Sequence, residues 1–200
     1  MEKEYKKNEI KEVTIHLTEN MLGTIPKDKD IFKKYLESMK PNIILEDESV
    51  TVEDIEEKGW TGFHKDDKGL FVYNYLIKGF LKHSGNVLKD IIGIKQMKAK
   101  TTDFIYVWPR KIYLGKQEPD GVFERPLRAQ TPKGERVCIA RSDYVNAGLE
   151  LTFLIELLPH KEITWKAIER VLEHGRLMGL GQFRNGGFES FEVVTIKPVE

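Results

Sequence analysis

The chain predicts an α+β fold, an antiparallel sheet with helices on one face, from three features. An alternating, β-branched run, Glu12 to Leu17, lies near the start. Two amphipathic helical stretches end at Ile92 and Leu177, and a strand-like run, Phe191 to Ile196, comes after the second of them. Strands joined partly by tight turns and partly by helices, with a strand after the last helix, suit helices packed on one side of the sheet.

Each element is set by local pattern. In the first run Val13, Ile15 and Leu17 form the inward set. His16 then points to the opposite face, as a surface residue or as a ligand-facing group on the sheet. Gly23 and Pro26 punctuate the next stretch of chain. Ile31, Phe32, Tyr35, Leu36 and Met39 have the spacing of one helical face, which predicts a short helix over residues 30–40 closed by Pro41. Residues 40–68 read as an acidic insertion that packs by Trp60 and Phe63.

Leu70 to Ile92 is the longest helical expectation, interrupted by Gly79 and Gly85. A glycine inside a helix costs about 1 kcal/mol against alanine, so close packing must offset it or the helix breaks there. Lys78, Lys82 and Lys89 can share one edge. Two β-rich runs, Phe104 to Trp108 and Lys111 to Leu114, are split by Pro109-Arg110, and residues 115–145 form a hairpin insertion turning at Thr131 to Gly134. Leu149 to Leu158 is a strand. Ile163 to Leu177 is a helix capped by Thr164, with Trp165, Ile168, Val171 and Leu172 on one face. A single ferredoxin-like (RRM-like) βαββαβ core over residues 1–200, with these two insertions, accommodates that order.

Composition narrows the function classes. Lysine and arginine total 32 against 32 aspartates and glutamates, so bulk charge announces no polyanion. The distribution is uneven: Lys78 to Lys116 carries nine cations and two aspartates, while Glu46 to Glu57 is nearly all acidic. The single cysteine, Cys138, cannot close an internal disulfide and suits a reducing compartment. No apolar run approaches the roughly 18 residues that cross a bilayer, so a cytoplasmic protein with no membrane partner is expected. The sequence lacks a Walker motif, a His-Glu-x-x-His pair and a cysteine cluster, so neither a cofactor nor a metal is expected.

The densest functional signal is Met178 to Phe188, where Gly179, Gly181, Gly186 and Gly187 surround Arg184 and two aromatics. Glycines let backbone N–H groups converge on an anion, and an arginine completes such a nest with a forked donor. A helix C-cap explains one of these glycines but not all four. Phosphate or nucleic acid is therefore the first ligand to consider.

Four segments together resemble the repeat-associated RNA-binding (RAMP) superfamily, especially the backbone subunits of CRISPR effector complexes. Gly179 to Phe191 resembles that family's glycine-rich loop between its last helix and last strand, and Ile77-Lys78-Gly79-Phe80-Leu81-Lys82 its internal helix motif, where a Lys-Gly pair opens a helix beside bound RNA. Arg141 to Leu158 is similar to its penultimate strand, and Val13 to Leu17 to its first. The loop departs from the family pattern at Phe188-Glu189-Ser190-Phe191, where a glycine and a second arginine are replaced. A carboxylate there opposes a phosphate by about 1 kcal/mol or more when weakly screened, shifting the ligand toward Arg184.

The resemblance implies a non-catalytic protein that binds RNA or single-stranded nucleic acid, with self-association or a place in a CRISPR-type complex. Single-strand binding needs a cationic track, stacking aromatics and backbone donors. Lys78, Lys82, Arg110, Lys111, Arg125, Arg128 and Arg184 are the candidate cations, beside Gly79 and the loop glycines; Tyr106, Trp108, Tyr113 and Phe183 are candidate platforms. Stand-alone relatives associated with phage genomes make an anti-defence protein a second expectation, one that sequesters a linear or cyclic nucleotide or copies a CRISPR subunit surface. A metal-independent RNA endonuclease is a third, with His16, His83 and His174 as candidate bases. Asp28 and Asp30 could serve metal-assisted cleavage, although a helix N-cap accounts for Asp30.

Overall fold

Alternation in the first strand organises the architecture. In β1 (Glu9–Leu17) the side chains of Val13, Ile15 and Leu17 are fully buried, and the residues between them face the other way. The computed structural model describes residues 7–27, 60–131, 134–181 and 183–199; the side chains of residues 127–131, 134–136, 138 and 185 lie outside that description. The helix expected over 30–40, most of the acidic insertion, Asp28, Asp30 and the hairpin tip at 132–133 therefore fall outside it, as does the side chain of Cys138.

β1 pairs antiparallel with β11 (Glu150–Leu157) on one side and β12 (Phe191–Pro198) on the other; β11 continues to β7 (Ile105–Trp108). The sheet order is β12-β1-β11-β7. α1 (Tyr75–Ile92) and α2 (Met97–Phe104) connect β1 to β7, and α3 (Trp165–Glu173) connects β11 to β12. Two crossovers in this strand order make an α+β fold of ferredoxin-like type with insertions. Ile77, Phe80 and Leu81 of α1 and Ile168, Val171 and Leu172 of α3 share one core with Val13, Ile15, Phe153 and Ile155.

The longest helical expectation begins too early. Gly69–Tyr73 is a strand, β6, between β5 (His64–Asp66) and β8 (Lys111–Tyr113). Leu70-Phe71-Val72-Tyr73 favours strand, and stacking of His64 on Phe71 with edge-on and tilted contacts of Phe71 to Tyr73 and Tyr113 outweighs the helical spacing further along. The helix proper starts after Asn74, whose side-chain amide donates to the Val107 carbonyl at 2.6 Å and ties the start of α1 to β7. It ends at Gly93, a left-handed cap with φ 76°.

Its two internal glycines differ. Gly85 is buried, and a Cβ there would come within 2.9 Å of Met97, so it lets α2 approach. Gly79 is exposed and faces open space, so no contact among the described residues accounts for it. The sequence did not reveal α2, because it buries only Met97 and Thr101 and presents no apolar stripe.

A second sheet carries the long hairpin. β9 (Gly121–Thr131) pairs with β10 (Gly134–Val145), and β10 also meets β2 (Met21–Leu22) and β4 (Trp60–Gly62), with β3 (Ile25–Pro26) beyond β4. Asp143 fixes this corner, accepting from Trp60 Nε1 at 2.7 Å and pairing with Lys27 Nζ at 2.7 Å. Phe63 packs on the main core.

Truncating Phe153→Ala, at the centre of the core, should cost about 3–5 kcal/mol. A denaturant midpoint that falls accordingly at unchanged slope is the expected outcome.

Candidate nucleic-acid interface

The glycine-rich segment after α3 closes on itself. Gly179 and Gly181 are buried. A Cβ on Gly179 would sit 1.9 Å from the Phe188 carbonyl oxygen, and one on Gly181 would sit 1.8 Å from Oε2 of Glu189. Leu180 donates to the Glu189 carbonyl at 3.2 Å, and Glu189 to that of Asn20 at 3.1 Å. The expectation of bare main chain across the whole segment is thus corrected: its first half is interior, and its small residues are demanded by packing against residues 188 and 189. Gly186 and Gly187 remain exposed, at and just after a 3-10 turn (Arg184–Gly186), with Gly187 at φ 84°.

Glu189 is 1% exposed and holds a left-handed backbone, φ 63°. Its Oε1 accepts the Leu22 N–H at 3.3 Å. Burial pushes the carboxyl up to about 7, while the N–H groups of Leu22 and Gly181 and the charge of Arg184 pull the other way. The group is therefore turned inward and partly protonated near neutrality, so it does not confront an external phosphate as its sequence position suggests. It also joins the loop to β2.

The outer half of the loop is braced by aromatics. Phe188 lies 6.0 Å from Phe183 and 4.9 Å from Phe123 of β9, and the Arg125 guanidinium lies 4.1 Å above Phe183. Arg125 also donates to Ser142 Oγ at 3.1 Å, and burial lowers its pKa. It props the loop against the hairpin base. No local pattern signals Phe123 in this role, because it reaches the loop's own Phe183 and Phe188 from β9, far away in sequence.

The other cations separate into two groups. Lys78 Nζ donates to the carbonyls of Thr101 at 2.7 Å, Thr102 at 3.1 Å and Ile105, closing the end of α2. Burial, then the charge of Lys82, lowers its pKa to about 8. Arg110 sits at the start of α1, 5.6 Å from the Tyr73 ring. Arg128 lies on β9 opposite Val137, its side chain outside the described residues.

By contrast, Gly79, Lys82 and His83 stand together on α1, and Arg184 comes close enough to depress the pKa of His83. That depression is due first to burial, then to the charges of Arg184, His174 and Lys98. Lys82 and Arg184 form no ion pair with the described residues. Gly79, Lys82 and His83 thus share one face of α1, and Arg184, which Gly186 and Gly187 follow in the chain, and Lys98 lie within electrostatic range of His83.

Of the candidate bases, His83 and His174 come within electrostatic range of each other, and His16 stands apart from both. His174 Nδ1 bonds Ser84 Oγ at 3.1 Å between α1 and the end of α3. His16 lies on the sheet face away from the helices. Among the platforms, Tyr106 and Trp108 are 40% and 48% exposed; Phe183 is half-buried under Arg125, and Tyr113 donates to Asp66 at 3.1 Å. No cluster of three or more histidine, cysteine or acidic side chains among the described residues could hold a metal ion. No helix among them is long and apolar enough to cross a membrane.

No family model matches the sequence, and no curated protein matches it. Among solved structures, it is similar to a chain in the cryo-EM structure of the Type III-B Cmr-beta bound to cognate target RNA, with a TM-score of 0.54 and 13% identity over 97% of this chain. The match spans 61% of that chain's length. At this identity the likeness establishes a shared fold.

The buried carboxyl makes stability depend on pH in a defined direction. Glu189 has a folded value of about 7, raised from an ordinary 4.5, so its contribution is complete below pH 4.5 and is lost as pH rises through 7. Glu189→Gln should abolish that loss. In thermal melts the variant gains on the parent between pH 4.5 and 8, by up to about 3 kcal/mol.

Proposed function

We propose that this protein binds single-stranded RNA without cleaving it, along the surface formed by Gly79, Lys82 and His83 of α1 and by Arg184 to Gly187 of the loop, as a RAMP-type relative of CRISPR effector backbone subunits. One observation carries the reading: Gly79, an exposed mid-helix glycine with open space above it, lies beside cations without ion-pair partners among the described residues. Nothing among those residues offsets its helical cost of about 1 kcal/mol, and a missing side chain there lets a sugar–phosphate backbone approach the helix. Lys82 and Arg184 supply charge at that approach, and the exposed Gly186 and Gly187 add main chain. The Cmr chain of similar fold, described in a complex bound to target RNA, supports the same ligand class. A place in a larger ribonucleoprotein complex is part of the same reading.

Fluorescence anisotropy with labelled single-stranded RNA across a salt series tests it. Binding should weaken with salt, and Lys82→Ala and Arg184→Ala should each flatten the log–log slope by about 0.7, the value for one phosphate contact on a single strand. The RNA should remain intact throughout. Binding with unchanged slope in both variants would place the ligand elsewhere.

Gly79 provides a sharper test, because stability and binding should move apart. Gly79→Ala should stabilise α1 by about 1 kcal/mol. Gly79→Leu should leave the fold intact and lower RNA affinity severalfold in the same titration.

A further inference from the structure

The face of the four-stranded sheet opposite the helices has a chemistry of its own. Outward positions alternate with the buried ones, so β1 contributes Glu12, Thr14 and His16, β11 contributes Glu150, Thr152, Leu154 and Glu156, and β7 contributes Tyr106 and Trp108. On β12, Glu192 stands opposite His16, and Lys197 opposite Glu12. Among the outward strand positions of the described residues, four carboxylates thus stand with one lysine, Lys197, while Lys78 reaches the edge of the face at Tyr106. Glu150 and Glu192 are exposed on either side of His16, while Thr14 and Thr152 hydrogen-bond each other at 3.0 Å in the next row.

The aromatic end of the face is held in place. Trp108 donates its indole N–H to Glu156 Oε2 at 3.0 Å, and Asn8 donates to Oε1 at 2.7 Å. The indole is nonetheless 48% exposed. Tyr106 already has a cation, Lys78, 5.1 Å from its ring centre. Trp108 is therefore the ring available to an incoming one. An RRM-like sheet could in principle stack RNA on such aromatics, but here phosphates would approach four carboxylates, each repelling them.

We propose that this acidic sheet face is a docking surface for a cationic polypeptide segment, an extended stretch carrying lysine or arginine. Its positive side chains pair with Glu12, Glu150 and Glu192, and one of them lies on the face of Trp108. Charge complementarity selects the partner: carboxylates in rows across a pleated surface match a strand-like segment with cations on alternate residues, and an indole adds cation–π attraction. The surface lies on the opposite side of the sheet from Lys82 and Arg184, so the two sites are independent.

The test uses the full chain and two labelled peptides of equal length, one alternating arginine and threonine, the other glutamate and threonine. Binding of the arginine peptide alone, weakened tenfold or more by Glu150→Lys with Glu192→Lys and severalfold by Trp108→Ala, but unchanged by Arg184→Ala, is the expected result. These side chains are exposed, so melting temperature should stay within a few degrees and report any loss of fold. Equal binding of both peptides, no binding, or binding that survives the charge reversal overturns the proposal. Single-stranded RNA binding lost in Trp108→Ala would give the face to nucleic acid, and concentration-dependent sedimentation lost in the charge reversal would give it to a second copy of the chain; either result also overturns it.

Discussion

Closure of the glycine loop around one buried carboxyl group is the constraint on which the functional geometry rests. Because Gly179 and Gly181 lack side chains, residues 188 and 189 pack directly against their backbone, and Glu189 reaches inward to the Leu22 N–H. A charged carboxylate is expensive to bury, and the upward shift of Glu189 is how the group accommodates its site. With the first half of the segment held in this way, the 3-10 turn starting at Arg184 is left on the outside beside α1.

The fold also decides which of the candidate cations are engaged by internal partners. Lys78 and Arg125 are both candidate cations, and the fold occupies both, one with helix-end carbonyls and one with an aromatic ring and a serine hydroxyl. A positive charge engaged by fixed internal partners gives little to a passing phosphate. Lys82 and Arg184 have no such engagement with the described residues. A net charge of zero therefore coexists with a helix layer whose Lys82 and Arg184 have no ion-pair partner among the described residues and a sheet face that presents four carboxylates. Separation of charge by the two sides of one sheet is a consequence of the period-two alternation of its strands.

The strands of the main sheet are legible in the sequence because alternation is a local signal: Val13-Thr14-Ile15-His16-Leu17 reports its buried face without reference to any partner. The helix of residues 165–173 is legible for a similar reason, with its threonine cap and a single apolar stripe. The start of α1 is not, because Leu70 to Tyr73 satisfies a helical spacing as well as a strand, and only pairing with residues 64–66 and 111–113 decides between them. Helix α2 escapes notice because it buries only Met97 and Thr101, and the close approach of Met97 to Gly85 of α1 leaves no local mark in its own sequence.

By itself the sequence determined the α+β class, the order of most elements, and that the late glycine cluster and the Lys78–Lys82 helix segment are the unusual parts of the chain. Only the tertiary structure decided which of those residues face outward. Local composition records what a residue can do, whereas burial, the partner a charge finds and the space above a glycine depend on segments far away in sequence. Gly79 and Gly181 are the same residue in similar-looking motifs, yet one opens on solvent and the other on a carboxylate, because different parts of the chain fold over them.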